Sequence, residues 1–430
     1  MTPRFRHLLQ GTALLLATAL SGFSHAQVQS QRDLHLEAAT RNTGGDQFLK
    51  DWTRDRYCMY VDNPALLAAI RKQTAPQPMT QIFDDVWFVG FQNVGQFLLK
   101  NSDGHFAMVD SLNSTSDADT YTIPALQKLG IGAQSPLDAI YLTHGHFDHD
   151  GGATRLRQVY GPNFPIYIGS GDIAGKAYAP TPMDSANFGY QHINLGNRPL
   201  TVIASPGHTP GTMSAIIPVR DNGVERKLLI VGGTAIPTTI SASRQYLGSV
   251  ERMYAAVKDL GVVGTLHPHG IIDGGNQHMA DIIASGSRTP NPYILGNEKM
   301  LRTVAIMREC GAAQVAQVDA TSHDPVWRVT SVDFVDGPTP NNLAARVSSD
   351  WGPVAYQDVT FTNPQTGAVC VASTDQDGVA RCGARMSPLR PFQDQVTVTF
   401  GGAQSADFVD LPSTRTAKVG AGKASPPGQQ

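Results

Sequence analysis

The sequence predicts an α/β domain, a sheet-rich core with helices on its outer faces, followed by a small all-β sandwich. Three observations predict it. The chain has 430 residues, too many for one ordinary core. From about Ile82, short runs rich in β-branched and aromatic residues come first as hairpins and then alternate with helical patterns. After about residue 325 only short alternating strands remain, with turns roughly every ten residues.

Taken in order, residues 1–26 read as a secretory signal. MTPRFRH supplies the arginines, LLQGTALLLATALSGF a short apolar stretch, and SHA a small-residue cleavage site before Gln27. The expected location is therefore secreted or periplasmic, where disulfides persist. No other apolar run reaches ~18 residues, so no membrane span is expected in the mature chain. Residues 27–75 form an N-terminal extension, polar and then helical in DQFLKDWTRDRYCMY and NPALLAAIRK. Residues 76–320 are the α/β domain. Its strands include IFDDVWFVGF, QFLLK, HFAMVD, LDAIYLT, FPIYIGS, LTVIAS, TMSAIIPV, KLLIVGG and GVVGTLH. Its helices include TYTIPALQKLG, ATRLRQVYG, SVERMYAAVKDLG and NEKMLRTVAIMREC. Residues 325–412 are expected to be an Ig-like β-sandwich, and 413–430, small and polar, a disordered tail.

Charge and cysteine content exclude some functions. The formal net charge is −3 and no dense Lys/Arg run occurs, so nucleic acid is not an expected partner. None of the four cysteines forms CxxC, which argues against a thiolate zinc cluster. Cys370 and Cys382 flank TDQDGVARC as a hairpin-stapling disulfide would. Cys58 and Cys310 stay open, paired or not.

The chemistry concentrates in LTHGHFDHDGG, residues 142–152, where His144, His146, Asp148 and His149 fall within six positions. On an extended or turning segment His144 and His146 point to one side. Asp148 and His149 follow where the chain turns into a helix and serve a second position. Imidazole and carboxylate suit Zn²⁺ and similar ions. Gly151 and Gly152 let the backbone bend without a Cβ clash.

HGHFDH resembles the HxHxDH signature of the metallo-β-lactamase superfamily, and the resemblance extends through residues 82–310. VWFVGFQNVGQFLLKNSDGHFAMVDS resembles the family's opening strands, ending in Asp110, which would support the metal loop from behind. SPGHTPGT, residues 205–212, supplies His208. LHPHGIIDGG, residues 266–275, resembles the last ligand motif, in which His269 has the expected spacing to Asp273 and Gly274 and His267 is the alternative ligand. The implied fold is a four-layer αββα sandwich. Many family hydrolases, the glyoxalase-type thioesterases among them, carry a metal-bridging Asp after this region. Here LLIVGGTAIP places Gly232 and Gly233 there. That departure resembles the lactamase subclass with a three-histidine first site.

The resemblance implies two Zn²⁺ ions per chain, one held by His144, His146 and His208, the other by Asp148, His149 and His269. It implies a zinc-dependent hydrolase in which metal-bound hydroxide cleaves a cyclic amide (β-lactam-like) bond of a small-molecule substrate. Asp148 would also be catalytic, orienting the nucleophile and carrying a proton. Asp110 and Asp273 are candidates to support the outer imidazole nitrogens. The alternative substrates are a lactone, a thioester or another ester. A reading of another class makes the C-terminal sandwich the main actor, a binding or adhesion module with an unidentified partner. Tyr246, in TTISASRQYLG, is a substrate-pocket candidate if that segment overhangs the site. Asp150 is expected to cap a helix, and Thr209 and Thr212 to make a turn. His35, His105, His192, His278 and His323 are expected to be ordinary core or surface histidines.

Overall fold

Successive strands from residue 76 to 183 lie side by side in the order in which they occur along the chain. In this computed structural model, which describes residues 30–132, 137–382, 386 and 388–420, the first sheet runs β1 (Pro76–Phe83), β2 (Val86–Phe91), β3 (Gly95–Lys100), β4 (Phe106–Val109), β5 (Ala139–Tyr141), β6 (Ile166–Gly169) and β7 (Thr181–Met183). β1 to β4 pair antiparallel, and the pairing turns parallel from β4 to β7. The second sheet contains β8 (Gln191–Leu195), β9 (Arg198–Ala204), β10 (Met213–Asp221), β11 (Val224–Ile230) and β12 (Gly264–Leu266), in the order β12-β11-β10-β9-β8.

The apolar runs look continuous in sequence because both faces of each sheet are covered. Strand residues alternate between two cores. In β10, Ala215, Ile217 and Val219 enter the core between the sheets, while Ile216 faces the outer helices. In β11, Leu228 and Ile230 point inward and Leu229 outward. Phe97 and Leu99 of β3 meet the inter-sheet core, and Leu98 packs with Leu126 and Leu156 of the helices over the first sheet. Helices Ile240–Leu260 and Asn297–Val318 cover the second sheet through Val250, Met253, Val304 and Met307. These four layers are the αββα arrangement expected.

The N-terminal extension is folded onto this body. Helix Gln31–Arg41 lies against Asn297–Val318, and Cys58 is bonded to Cys310. The pairing left open in the sequence is therefore made. His35 is a core histidine of an unexpected kind: its Nδ1 lies 2.7 Å from the buried Glu309 carboxylate, which also accepts from Arg308 Nη1 at 2.7 Å.

The C-terminal region is all β. Strands Thr330–Phe334, Ala344–Ser349, Gly352–Pro353 and Val379–Arg381 form one sheet, and Asp358–Thr362, Val369–Ser373, Gln395–Phe400 and Ser413–Lys418 another. They share a core that includes Val332, Val347, Phe361, Val398 and Phe400. A third small sheet pairs Val326–Arg328 in parallel with Phe408–Asp410. Two expectations change. Cys370 and Cys382 are bonded, but they join the two sheets rather than the arms of one hairpin. Residues 413–418 are a strand paired with Gln395–Phe400, not part of a tail, because the alternating Thr414, Thr416 and Lys418 suit an exposed edge. The expected signal at 1–26 and residues 421–430 of the expected tail lie outside the described residues. Among the described residues no helix is long and apolar enough to cross a membrane.

The long Asn297–Val318 helix is buried on nearly every side, since the extension and the C-terminal region both lean on it. Trp327 stacks edge-on to Tyr254 and donates its backbone N–H to Glu309, and Asn42 donates to the Trp327 carbonyl. Removing residues beyond 320 would therefore strip contacts from this core, and such a truncation reads stability as well as function.

Candidate metal centre

The HGHFDH segment leaves β5 and enters a short helix, Phe147–Asp150, at the edge where β4, β5 and β6 end. Its shape is set from behind. Asp110, fully buried with φ 61°, accepts the Thr143 backbone N–H at 2.8 Å and the Thr143 hydroxyl at 3.0 Å, and accepts His149 Nδ1–H at 2.7 Å. A non-glycine residue held in left-handed backbone costs about 1–3 kcal/mol, a strain typical of functional sites. Gly151 and Gly152 avoid a Cβ clash, as expected, though without unusual dihedral angles. Both have ordinary helical φ, −61° and −85°. What they supply is room: a Cβ on either would lie 2.2 Å from a backbone oxygen of the 111–113 segment, on Asn113 or Ser111.

The described structure brings three imidazoles together from two loops. His144 Nε2, His146 Nδ1 and His208 Nε2 lie 3.1, 3.1 and 3.2 Å apart. Nitrogens at three corners of a tetrahedron with ~2.0–2.1 Å bonds to zinc would stand about 3.3 Å apart, so the donor set fits that ion. Beside them His149 Nε2 and His269 Nε2 are 3.1 Å apart, and Asp148 Oδ2 lies 3.7 and 3.8 Å from the two. Two neighbouring donor sets, three-nitrogen and two-nitrogen-plus-carboxylate, thus share one cleft.

Outer nitrogens find acceptors, which fixes the ring orientation and tautomer. His208 Nδ1–H donates to the Ala235 carbonyl at 3.0 Å, His269 Nδ1–H to the Asn93 carbonyl at 2.5 Å, and His144 Nδ1–H to Thr143 Oγ1 at 3.2 Å. Burial holds the His144 imidazole well below its usual value and takes His208 and His269 down to about 4, so these rings stay neutral, as ligands must be. For His149 burial acts the same way but the Asp110 carboxylate outweighs it and the net direction is upward. Burial also opposes ionisation of Asp148, yet the adjacent His149 and His269 hold its carboxyl below the usual range.

His267 is turned away from this cluster. It is buried, and its Nδ1 accepts the His269 backbone N–H at 2.9 Å, so it shapes the turn that presents His269. Asp273 does not reach the His269 ring. Burial raises its carboxyl to about 7, and it accepts the Gly275 N–H at 2.9 Å within the same turn. Tyr246 is also corrected. TTISASRQYLG is not an overhanging loop but the start of helix Ile240–Leu260, capped by Thr239, and its amphipathic spacing turns Tyr246 inward. It is 2 % exposed and points its hydroxyl at the Thr234 carbonyl, 3.5 Å away. Asp150 pairs with Lys176 at 2.5 Å and accepts from Tyr178 at 3.0 Å rather than capping the next helix.

Gly233 explains the missing bridging carboxylate. A Cβ there would lie 2.5–2.7 Å from the Cδ2, Cγ and Cβ atoms of His208. The His208 ring occupies the space that any side chain at 233 needs.

Two features were not read from the sequence. Asp172 accepts the Gly145 N–H at 2.8 Å, the Thr209 hydroxyl at 2.6 Å and the Gly211 N–H at 2.9 Å, tying the loop of His144 and His146 to the loop of His208. An isolated Asp after a strand carries no local signal for this. Asp172→Ala is expected to weaken metal affinity ~10–100-fold with the fold retained. Competition with a chromophoric chelator measures it, and unchanged affinity would show that the loops need no tether. The second feature is the cleft itself, about 390 Å³, whose lining joins the histidines to Tyr60, Leu67, Ile70 and Arg71 of the N-terminal extension. Phe147, 71 % exposed, stands at its edge beside Asp148.

Residues 90–221 match the family model described as Metallo-beta-lactamase superfamily. A probable metallo-hydrolase of Bacillus subtilis is 26% identical over 172 residues, 37% of this chain and 76% of its own length. A hydroxyacylglutathione hydrolase of Yersinia enterocolitica is 31% identical over 170 residues, 40% of this chain; the match spans only 57% of that enzyme. Among solved structures, a subclass B3 metallo-beta-lactamase of Bradyrhizobium japonicum aligns with 23% identity and a TM-score of 0.46, covering 59% of this chain and 98% of that one.

Proposed function

From the match of residues 90–221 to the Metallo-beta-lactamase superfamily model we propose that the chain is a zinc-dependent hydrolase of a cyclic amide, β-lactam-like bond. The observation that carries the reading is the convergence of His144, His146 and His208 beside Asp148, His149 and His269 in one cleft. In this reading the first three residues hold one ion and the second three another. Zinc in such sites supplies Lewis acidity and acidifies water near neutral pH, the chemistry a hydrolase without a Ser or Cys nucleophile needs.

The chain's own groups do the rest. Asp148, ionised and a quarter exposed, accepts a proton from the attacking water and orients it. The carboxylate oxygen not given to the metal would carry that proton and return it to the leaving nitrogen. Asp110 holds the His149 ring, and Asp172 holds His146 and His208 in register by tying their loops together. Leu67, Ile70, Ile271 and Ile272 line the cleft and exclude water from the body of the substrate. A β-lactam-like substrate is favoured over a thioester by the resemblance, since Gly232 and Gly233 stand where the glyoxalase-type thioesterases carry a metal-bridging Asp. The two disulfides suit a secreted or periplasmic location. The C-terminal sheets, packed on the Asn297–Val318 helix, favour a supporting role for that region over an independent binding module.

Turnover of a chromogenic cephalosporin or a carbapenem by the zinc-loaded protein tests the proposal. The expected result is hydrolysis that a chelator abolishes and added zinc restores. No turnover of any β-lactam, with hydrolysis of a lactone or of an acyl-glutathione thioester, would replace the substrate assignment.

A further inference from the structure

We propose that Arg71 determines substrate specificity by receiving a carboxylate on the substrate, in the cleft that it lines together with the histidine cluster. The proposal rests on the hydrolase reading and names the substrate class: a small anion with an apolar body. Among the described residues that line the cleft, Arg71 is the sole Lys or Arg, and Asp148 the sole acid. Asp148 is engaged with His149 and His269. Arg71 is exposed, and among the described residues its guanidinium has no carboxylate within ion-pair distance. Arg32, Arg41 and Arg54 of the same segment pair with carboxylates, Arg54 with Asp62 at 2.7 Å, while Arg56 lies over the Trp52 ring and does not line the cleft.

The position is fixed rather than fortuitous. Arg71 ends the helix Pro64–Ile70, whose first turn is capped by Asn63 and whose last residue, Ile70, is 4 % exposed and anchored in the core over the second sheet. The preceding helix, Asp55–Asp62, is bonded through Cys58 to Cys310. The backbone that carries the guanidinium is fixed, and the guanidinium's planar fork matches a carboxylate in two parallel hydrogen bonds. The Tyr60 hydroxyl lines the same cleft: burial pushes it up to about 12, and the Arg71 charge opposes the rise, so the two groups sense one another. Leu67, Ile70, Ile271, Ile272 and the exposed Phe147 offer apolar surface for the rest of the ligand.

The test uses full-length, zinc-loaded protein with Arg71 intact, Arg71→Ala and Arg71→Lys. For a hydrolysed substrate and its methyl ester at the carboxylate, the kcat/KM ratio of acid to ester is expected to fall about tenfold in Arg71→Ala, through KM, and to recover partly in Arg71→Lys. Metal content should not change. A second readout needs no turnover: binding of 4-phenylbutyrate against 4-phenylbutyramide by calorimetry, where the preference for the acid is expected to drop by the same factor. If acid and neutral ligand weaken equally, or neither weakens, Arg71 is not the anion's partner. If no substrate is hydrolysed but Arg71→Ala still removes the acid preference in binding, the inference stands and the hydrolase reading falls.

Discussion

Gly233→Ala is expected to empty the three-histidine site while the fold remains. The new methyl would lie 2.5–2.7 Å from three carbons of His208, far inside van der Waals contact, so either the backbone or the ring must move. The backbone has little freedom. Gly232, next to it, donates its N–H to Ser214 Oγ at 3.0 Å, and a Cβ there would itself strike the Met213 carbonyl oxygen at 2.3 Å. The ring is the softer element. Its displacement breaks the 3.0 Å bond to Ala235 and withdraws one of three donors. Loss of an outer partner alone weakens a site ~10–100-fold, and loss of the ligand itself should exceed that. Metal retained after dialysis at fixed free zinc, read beside the thermal transition, checks the result. A variant that keeps its metal with wild-type affinity would show that His208 is not confined by residue 233. Gly233→Asp should fare no better, so a bridging carboxylate cannot be installed here by one substitution.

The second large effect belongs to the junction of the extension, the long helix and the C-terminal region. Glu309 is wholly buried and accepts from Arg308 at 2.7 Å and from the Trp327 N–H at 3.0 Å, with His35 Nδ1 at 2.7 Å. Glu309→Ala leaves the buried Arg308 with the half-exposed Glu251, at 3.2 Å, as its remaining carboxylate, strands His35, and should cost about 3 kcal/mol at neutral pH. The pH dependence follows from the sign of the shift. Burial opposes ionisation, but Arg308 and His35 outweigh it, and the carboxyl titrates below its usual value in the folded protein. A depressed carboxylate stabilises the fold above its unfolded value, about 4.3, and that contribution is lost as pH falls through the folded value. The stability gap between wild type and Glu309→Ala should therefore be full at pH 7 and narrow below about pH 4. Denaturant melts at both pH values measure it, and a constant gap would mean that the Glu309 charge contributes nothing.

Both predictions concern positions whose role is invisible in one dimension, and that pattern holds for the site as a whole. The HGHFDH segment was legible because metal ligation needs few residue types at short spacing, and His208 because SPGHTPGT repeats a known local arrangement. The four-layer core was legible because period-two burial on both sheet faces leaves continuous apolar runs such as KLLIVG. His267 and His269 were not separable, since both sit in one turn and only the backbone path decides which ring faces the cleft. Tyr246 lies in the core because TTISASRQYLG starts a capped helix, which its polar residues do not distinguish from a loop.

Sequence by itself determined five candidate donors and narrowed the sixth to His267 or His269, and it determined the order of the elements and the class of chemistry, because these depend on residue types at fixed local spacing. Only the tertiary structure decided what surrounds those donors: that Asp172 joins the two ligand loops, that His208 fills the space above Gly233, and that Tyr60 and Arg71, brought from the N-terminal extension and held by Cys58–Cys310, wall the cleft. The reason is physical: a ligand motif is a property of a few neighbouring residues, whereas a cavity wall is wherever packing of distant helices happens to leave a surface.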